Sequence, residues 1–172
     1  QPELAEGYAL HIYPICNPTG LEETCRYSRR GADLNRVFWK ISEEPEVRLI
    51  EEELHRHPFQ GLISLHSDDQ VSGLYGFVQG PILSAALLEP ALKASSAVLP
   101  RNPDPAIDQF PAKEGIIYDG YAGMLSAPRH PNQPFEIVFE TPQREALDRQ
   151  IAAIQLALNA VLNEYRSFIS IS

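Results

Sequence analysis

An asparagine and an arginine that are adjacent in the sequence, Asn35 and Arg36, offer hydrogen-bond donors to a negatively charged ligand. The amide and the planar guanidinium fork together suit a carboxylate, whose two oxygens can accept parallel hydrogen bonds. The same arginine could instead form an ordinary surface ion pair with Asp33 or Glu43. Arg26, nine residues before Asn35, adds a further cation to this part of the chain.

A histidine and a glutamate each end a strand-like apolar run. His66 follows residues 61–65, and Glu140 follows residues 135–139 and precedes a proline that turns the chain. A neutral imidazole at such a strand end can bind a metal ion, and a partly desolvated carboxylate can act as a general base. The simpler alternatives are a packed histidine at the rim of the core and a glutamate that caps the next helix or forms an ion pair.

Alternating strands and helices must position these side chains. Residues 7–16 are mostly apolar and predict a buried parallel strand, and residues 61–66 predict the next one. Between them, residues 42–57 predict a helix, with Ser42 as a possible cap and apolar residues recurring at i, i+3 and i+7. This order predicts a right-handed crossover and places the ends of both strands at one edge of a sheet. The helical stripe consists of Val47, Ile50 and Leu54.

The second half of the chain continues the alternation. Residues 81–95 predict a helix, residues 114–132 a long glycine-containing loop, residues 134–140 a strand and residues 143–168 a long helix. The fold class is therefore α/β, with three αβα layers around a mostly parallel mixed sheet. The predicted inward face of the last helix consists of Leu147, Ile151, Ile154, Leu158, Val161, Leu162 and Tyr165.

Composition excludes several kinds of partner. The net charge is −9, from 14 basic and 23 acidic side chains, and the basic residues form no stripe that could follow a phosphate backbone. We therefore expect no nucleic-acid partner, and no apolar run is long enough to span a membrane. Cys16 and Cys25 do not form a Cys-x-x-Cys pair and are expected to be reduced thiols. With no visible signal peptide, a cytoplasmic location is expected.

The polar motifs, taken in order, resemble the core pattern of the carboxypeptidase A-like zinc carboxypeptidases over residues 8–142. In that family two zinc ligands lie in a His-x-x-Glu motif upstream of Asn-Pro-x-Gly, and this chain begins too late to contain it. Residues 1–172 are therefore expected to form a single catalytic domain that lacks its N-terminal portion. The matching motifs are Asn17-Pro18-Thr19-Gly20, Arg26, Asp33-Leu34-Asn35-Arg36, His66-Ser67 and Phe139-Glu140.

The resemblance implies a role for each of these residues. His66 would be the third ligand of one zinc ion, and Glu140 would activate the zinc-bound water. Asn35 and Arg36 would bind the terminal carboxylate of the substrate, and Arg26 would stabilise the oxyanion.

Several alternatives stay open within this scheme. Arg29 and Arg30 are close enough in sequence to replace the oxyanion-binding arginine, and Glu136 alternates to the same strand face as the proposed base. Tyr118 or Tyr121 would be the mobile tyrosine that closes over the substrate, and Tyr118 has the better spacing.

Two further positions complete the prediction. Asp68 stands where the family usually has an aromatic or small residue, which is expected to alter the pocket. The remaining histidines show no spacing typical of metal ligands, and two of them lie two residues apart on the predicted helix and point apart. These histidines are His11, His55, His57 and His130.

The activity implied by the resemblance is zinc-dependent hydrolysis of an amide bond near a free carboxylate of a peptide. The short loop before Asn35 is more similar to bacterial murein-peptide amidases than to digestive carboxypeptidases, which favours a cell-wall peptide as substrate. One alternative is an N-acyl amino acid deacylase of the succinylglutamate desuccinylase and aspartoacylase type. Another, of a different class, is a non-catalytic module that binds carboxylates.

Overall fold

Residues 5–79, 82–118 and 134–170 are described by a computed structural model of the protein. The chain divides into two compact units, of which unit 1 comprises residues 1–8, 61–120 and 135–172. Unit 2 comprises residues 9–60 and 121–134. The prediction of a single domain requires the two units to unfold together, and it stays a prediction.

The described residues of unit 2 contain two helices, α1 (Pro18–Glu23) and α2 (Pro45–Arg56), and a 3₁₀ turn over Leu34–Arg36. The predicted helix over residues 42–57 is confirmed, and its apolar stripe is buried as expected. Ser42 lies two residues before the N-cap, Glu44, and its Oγ accepts the Glu44 N–H at 3.2 Å. Ser42 therefore stabilises the approach to α2 rather than capping it.

The strand predicted over residues 7–16 is wrong. This segment has no strand pairing in the described part of the chain, and several of its apolar side chains are exposed, with Ile12 at 77%. A buried strand needs a hydrogen-bonded neighbour and cover on both faces. An apolar run alone specifies neither a neighbouring strand nor such cover, so the sequence pattern predicted a strand that does not form.

Trp39, which follows the 3₁₀ turn in the sequence, packs against α2. Its backbone has φ +61°, and its N–H donates to Glu51 Oε1 at 2.5 Å. The indole meets the His55 ring edge to face, with 5.4 Å between ring centroids. These contacts, one from the backbone and one from the indole, attach Trp39 to two residues of α2.

Unit 1 is built on a six-stranded mixed sheet, and the predicted α/β fold with a mixed sheet is confirmed. The strands are β1 (Gly61–Asp68), β2 (Tyr75–Gln79), β3 (Ala106–Ile107), β4 (Phe110–Lys113), β5 (Ile116–Ile117) and β6 (Phe135–Pro142). Their order in the sheet is β1-β6-β2-β5-β4-β3. Parallel pairing joins β1 to β6 and β2 to β5, whereas the other three neighbouring pairs are antiparallel, more than the prediction of a mostly parallel sheet implied.

Two tight turns explain the extra antiparallel pairs. Asp108 and Gln109 connect β3 to β4, and Glu114 and Gly115 connect β4 to β5, all four with positive φ. Two successive left-handed residues form the kind of turn that joins antiparallel neighbours. The loop predicted over residues 114–132 is therefore wrong at its start, where residues 114–117 form the second turn and β5. Residues 119–133 lie outside the described part of the chain.

The remaining described helices of unit 1, α3 (Ile82–Ser95) and α4 (Leu147–Ile169), pack against each other and against the sheet. Ser95 Oγ donates to the Ala153 carbonyl at 2.7 Å where the helices meet. The predicted inward face of α4 is partly wrong, because Leu147 and Ile151 are 70% and 47% exposed. No described helix is long and apolar enough to cross a membrane. The buried residues of α4 are Gln150, Ala153, Ala157 and Val161.

Candidate active site

A polar row crosses three neighbouring strands of the unit 1 sheet. In the strand register His66 of β1 is the partner of Glu140 in β6, and Glu140 is in turn the partner of Tyr75 in β2. Directly opposed side chains project from the same face of a sheet. The alternate residues of β6, such as Ile137 and Phe139, belong to the hydrophobic core. The row therefore lies on the sheet face opposite that core.

The imidazole of His66 is placed between two polar groups. Its Nδ1 lies 3.6 Å from Glu140 Oε1, and its Nε2 lies 2.8 Å from Ser64 Oγ. The first separation is longer than a hydrogen bond, so these two atoms are neighbours. The His66 side chain is 27% exposed and that of Glu140 is 10% exposed. A solvent-accessible imidazole thus stands beside a carboxylate that is largely removed from water.

Tyr75 completes the row and was not identified from the sequence. Its hydroxyl donates to Asp68 Oδ2 at 2.6 Å, while Asp68 Oδ1 accepts the N–H groups of Gln70 and Val71. Burial raises the pKa of Tyr75, and the nearby carboxylates of Glu140 and Asp68 raise it further. Tyr75 therefore remains a protonated donor at neutral pH, and Asp68 acts as its acceptor.

Glu136 was the alternative to Glu140 as the base. Both carboxylates are buried, and they lie four residues apart on one face of β6. Their strand partners differ, because Glu136 is opposite Leu62 in β1 whereas Glu140 is opposite His66. Glu140 is therefore the carboxylate of β6 that is paired in register with the histidine.

The residues around His66 do not complete a zinc centre by themselves. A catalytic zinc ion usually has three protein ligands and one position for water or substrate. Within residues 5–79, 82–118 and 134–170, no cluster of three potential metal-binding side chains includes His66. His66 can supply one ligand.

The predicted carboxylate-binding pair lies in unit 2. Asn35 and Arg36 are two of the three residues of the 3₁₀ turn, Asn35 half-buried and Arg36 exposed. Asp33, which precedes the turn, accepts a hydrogen bond from Arg26 Nε at 2.8 Å. Arg26 has a side chain that is 61% exposed, so its guanidinium is accessible while this ion pair orients it.

The turn at Asn17 holds the loop that carries Arg26. Asn17 Oδ1 accepts the N–H of Gly20 at 3.0 Å, and its Nδ2 donates to the Arg26 carbonyl at 3.2 Å. A Cβ at Gly20 would lie 2.7 Å from the Cys25 carbonyl oxygen, so a side chain there would force the loop apart. The Asn-Pro-x-Gly motif therefore has a structural function in positioning Arg26.

The alternative arginines and the two candidate tyrosines have different surroundings. The backbone N–H of Arg29 donates to Thr19 Oγ1, and Arg30 Nη1 donates to the Glu43 carbonyl at 2.9 Å. Tyr118 is 55% exposed. Tyr121 lies outside the described residues.

A second cluster contradicts the expectation that the other histidines lack a ligand arrangement. His11, Glu53 and His57 of unit 2 come together, and one ligand atom from each lies within 4.8 Å of the others. Glu53 and His57 are four residues apart, a spacing that places two side chains on one helix face. That spacing was readable from the sequence, whereas the approach of His11 was not.

No family model and no curated protein matches this sequence. Among solved structures, presumed metallopeptidases of Shewanella amazonensis and Shewanella denitrificans are 23% and 24% identical, each with a TM-score of 0.78 over 95% of this chain. A metallo-carboxypeptidase of Burkholderia cenocepacia is 18% identical, with a TM-score of 0.66 over 96%. At these identities the similarity establishes the fold.

The chain is shorter than these structures. It spans 66% of the Shewanella amazonensis protein, 64% of the Shewanella denitrificans protein and 47% of the Burkholderia cenocepacia protein. The structural similarity to these proteins defines a metallocarboxypeptidase-like α/β fold.

Proposed function

We propose that this chain is part of a zinc-dependent hydrolase of the carboxypeptidase type, which cleaves an amide bond near a free carboxylate of its substrate. The pairing of His66 with Glu140 is the observation that carries this proposal. The fold shared with a metallo-carboxypeptidase supports it. His66 would be one zinc ligand, and the other ligands would come from outside the described residues.

Glu140 is the proposed general base. Its carboxylate, largely removed from water, would take a proton from the attacking water and later deliver it to the leaving amine. Proton transfer of this kind contributes roughly 10²- to 10⁴-fold to a rate. A bound zinc ion would polarise the amide carbonyl and lower the pKa of water.

Three residues of unit 2 would bind the substrate. Asn35 and Arg36 would bind its terminal carboxylate through charge-assisted hydrogen bonds, and Arg26 would stabilise the negative charge that develops on the amide oxygen. Tyr118 would close over the bound substrate. A peptide of the bacterial cell wall is the proposed substrate, and the proposed location is the cytoplasm.

The metal is tested first, on the longest native form of the protein. We expect elemental analysis to find about one zinc ion per chain more in the wild-type protein than in His66→Ala. A wild-type protein without zinc would contradict the hydrolase proposal and favour the non-catalytic carboxylate-binding module.

The base is tested by Glu140→Gln, which keeps the shape of the side chain. We expect kcat to fall by about 10²- to 10⁴-fold while zinc remains bound. Glu136→Gln is the matched control, because it makes the same change on the same strand face. Equal activity of Glu140→Gln and wild type, measured on a peptide with a free C-terminal carboxylate, would exclude Glu140 as the base.

Substrate choice separates the proposal from the deacylase alternative. Kinetics with small N-acyl amino acids and with peptides that have a free C-terminus would be compared on the same preparation. Turnover of the N-acyl amino acids alone would exclude the peptidase and favour the deacylase.

A further inference from the structure

The His11, Glu53 and His57 cluster combines donors from two parts of unit 2. Glu53 lies in the last turn of α2, His57 is the C-cap of that helix, and His11 comes from the segment before α1. Two imidazoles and one carboxylate are a donor set that binds zinc and similar divalent transition metals.

The separation of two of the donors already matches a metal site. His57 Nε2 lies 3.4 Å from Glu53 Oε2. Two ligands at about 2.1 Å from a tetrahedral ion lie about 3.4 Å from each other. All three ligand atoms lie within 4.8 Å of one another.

Neighbouring side chains hold these donors in place. The Tyr13 hydroxyl donates to Glu53 Oε2 at 3.3 Å, and Arg56 pairs with the other oxygen of Glu53. The ring of Phe59 packs against both histidines, with centroids 5.0 Å from His11 and 5.7 Å from His57. Contacts of this kind orient the ligands of natural metal sites.

We propose that His11, Glu53 and His57 bind one divalent transition-metal ion, zinc by preference. This donor set shares no residue with the polar row of unit 1. Metal binding would attach the irregular segment around His11 to the end of α2, so we expect the ion to stabilise unit 2.

Cobalt(II) titrated into the full chain tests the proposal, because the visible absorption of a bound cobalt ion reports its coordination without requiring activity. We expect His11→Ala and His57→Ala each to weaken cobalt binding by at least about tenfold. His55→Ala is the matched control, because it removes an exposed histidine of the same helix. His55→Ala should leave this binding unchanged, the cobalt ion at this site should stay bound in His66→Ala, and excess zinc should displace it.

Glu53→Gln is a second variant that keeps the side-chain shape and should also weaken binding, with circular dichroism confirming that each variant is folded. Equal cobalt affinity in wild type, His11→Ala and His57→Ala would overturn the proposal. Loss of all cobalt binding in His66→Ala would also overturn it, while the proposal for His66 would stand. Loss in His11→Ala and His57→Ala alone would establish this site, whatever the outcome for the proposed hydrolase.

Discussion

Tyr75 shows how one buried polar side chain connects the candidate site to the stability of the fold. Tyr75 is 1% exposed, and its hydroxyl donates a hydrogen bond to Asp68. A hydroxyl in such a position is costly without a hydrogen bond, and this one is satisfied. The tyrosine therefore fixes Asp68, which lies two residues beyond His66 on β1.

Tyr75→Phe is expected to lower the free energy of unfolding by about 1–2 kcal/mol at neutral pH, because Asp68 loses its buried donor. Urea unfolding measures this change. Tyr118→Phe, which removes a hydroxyl from an exposed tyrosine, is the control and should leave stability unchanged. An equal loss in both variants would show that the Tyr75 hydroxyl has no special role.

The difference between Tyr75→Phe and wild type should also depend on pH. The pKa of Tyr75 is raised in the folded state, so above about pH 10 the unfolded chain loses a proton that the folded chain keeps. Wild-type stability therefore falls as pH rises through this range, and the variant lacks that contribution. The two unfolding free energies should converge above about pH 10; a constant difference would contradict this.

At the scale of elements, local patterns predicted the helices α2, α3 and α4 and the strands β1 and β6, whereas α1 and β2 were not predicted. The helix α2 and the strands β1 and β6 follow from short-range apolar periodicity and from proline and glycine positions. The pairing of His66 with Glu140 was also foreseeable in part, because the ends of parallel strands meet at one edge of a sheet. What failed depended on partners distant in sequence.

Three failures share this cause. The segment 7–16 has strand-forming residues but no strand partner in the described chain, and the approach of His11 to α2 depends on the path of that segment. Tyr75 joined the site through the register of β2 on β6. A single sequence contains no direct signal for either contact.

The face of α4 was misassigned because small residues, Ala153 and Ala157, occupy two of its buried positions. Ala153 is fully buried where Ser95 donates to its carbonyl, whereas the larger Leu147 and Ile151 face solvent. Helices that approach closely exclude large side chains from the contact. Counting large apolar residues therefore selected positions beside the true interface.

Ala153→Leu tests this packing. The added methyl groups would have to enter a filled contact between α3 and α4, and we expect a loss of about 1–3 kcal/mol in the free energy of unfolding. Ala152→Leu makes the same change at the half-buried neighbouring residue and should cost less. Equal losses in thermal or urea unfolding would show that the contact is not tightly packed at Ala153.

At the scale of the whole molecule, the two units contain different parts of the proposed chemistry. Unit 1 has the row of His66, Glu140 and Tyr75, and unit 2 has the Arg26 loop, the Asn35-Arg36 turn and the His11 cluster. The sequence predicted both the anion-binding residues and the two strand-end residues, His66 and Glu140, but it did not predict that they belong to different units. Thermal unfolding can show whether the two units lose their structure in one transition or in two.

Trp39 provides a direct way to answer it. It is the single tryptophan of the chain and packs on α2, so intrinsic tryptophan fluorescence originates in unit 2. The 23-residue helix α4 lies in unit 1 and contributes strongly to far-ultraviolet circular dichroism. Tryptophan fluorescence thus reports unit 2, whereas far-ultraviolet circular dichroism reports mainly the longer helices of unit 1. Coincident melting curves from the two signals would indicate one cooperative domain. Different midpoints would show which unit unfolds first.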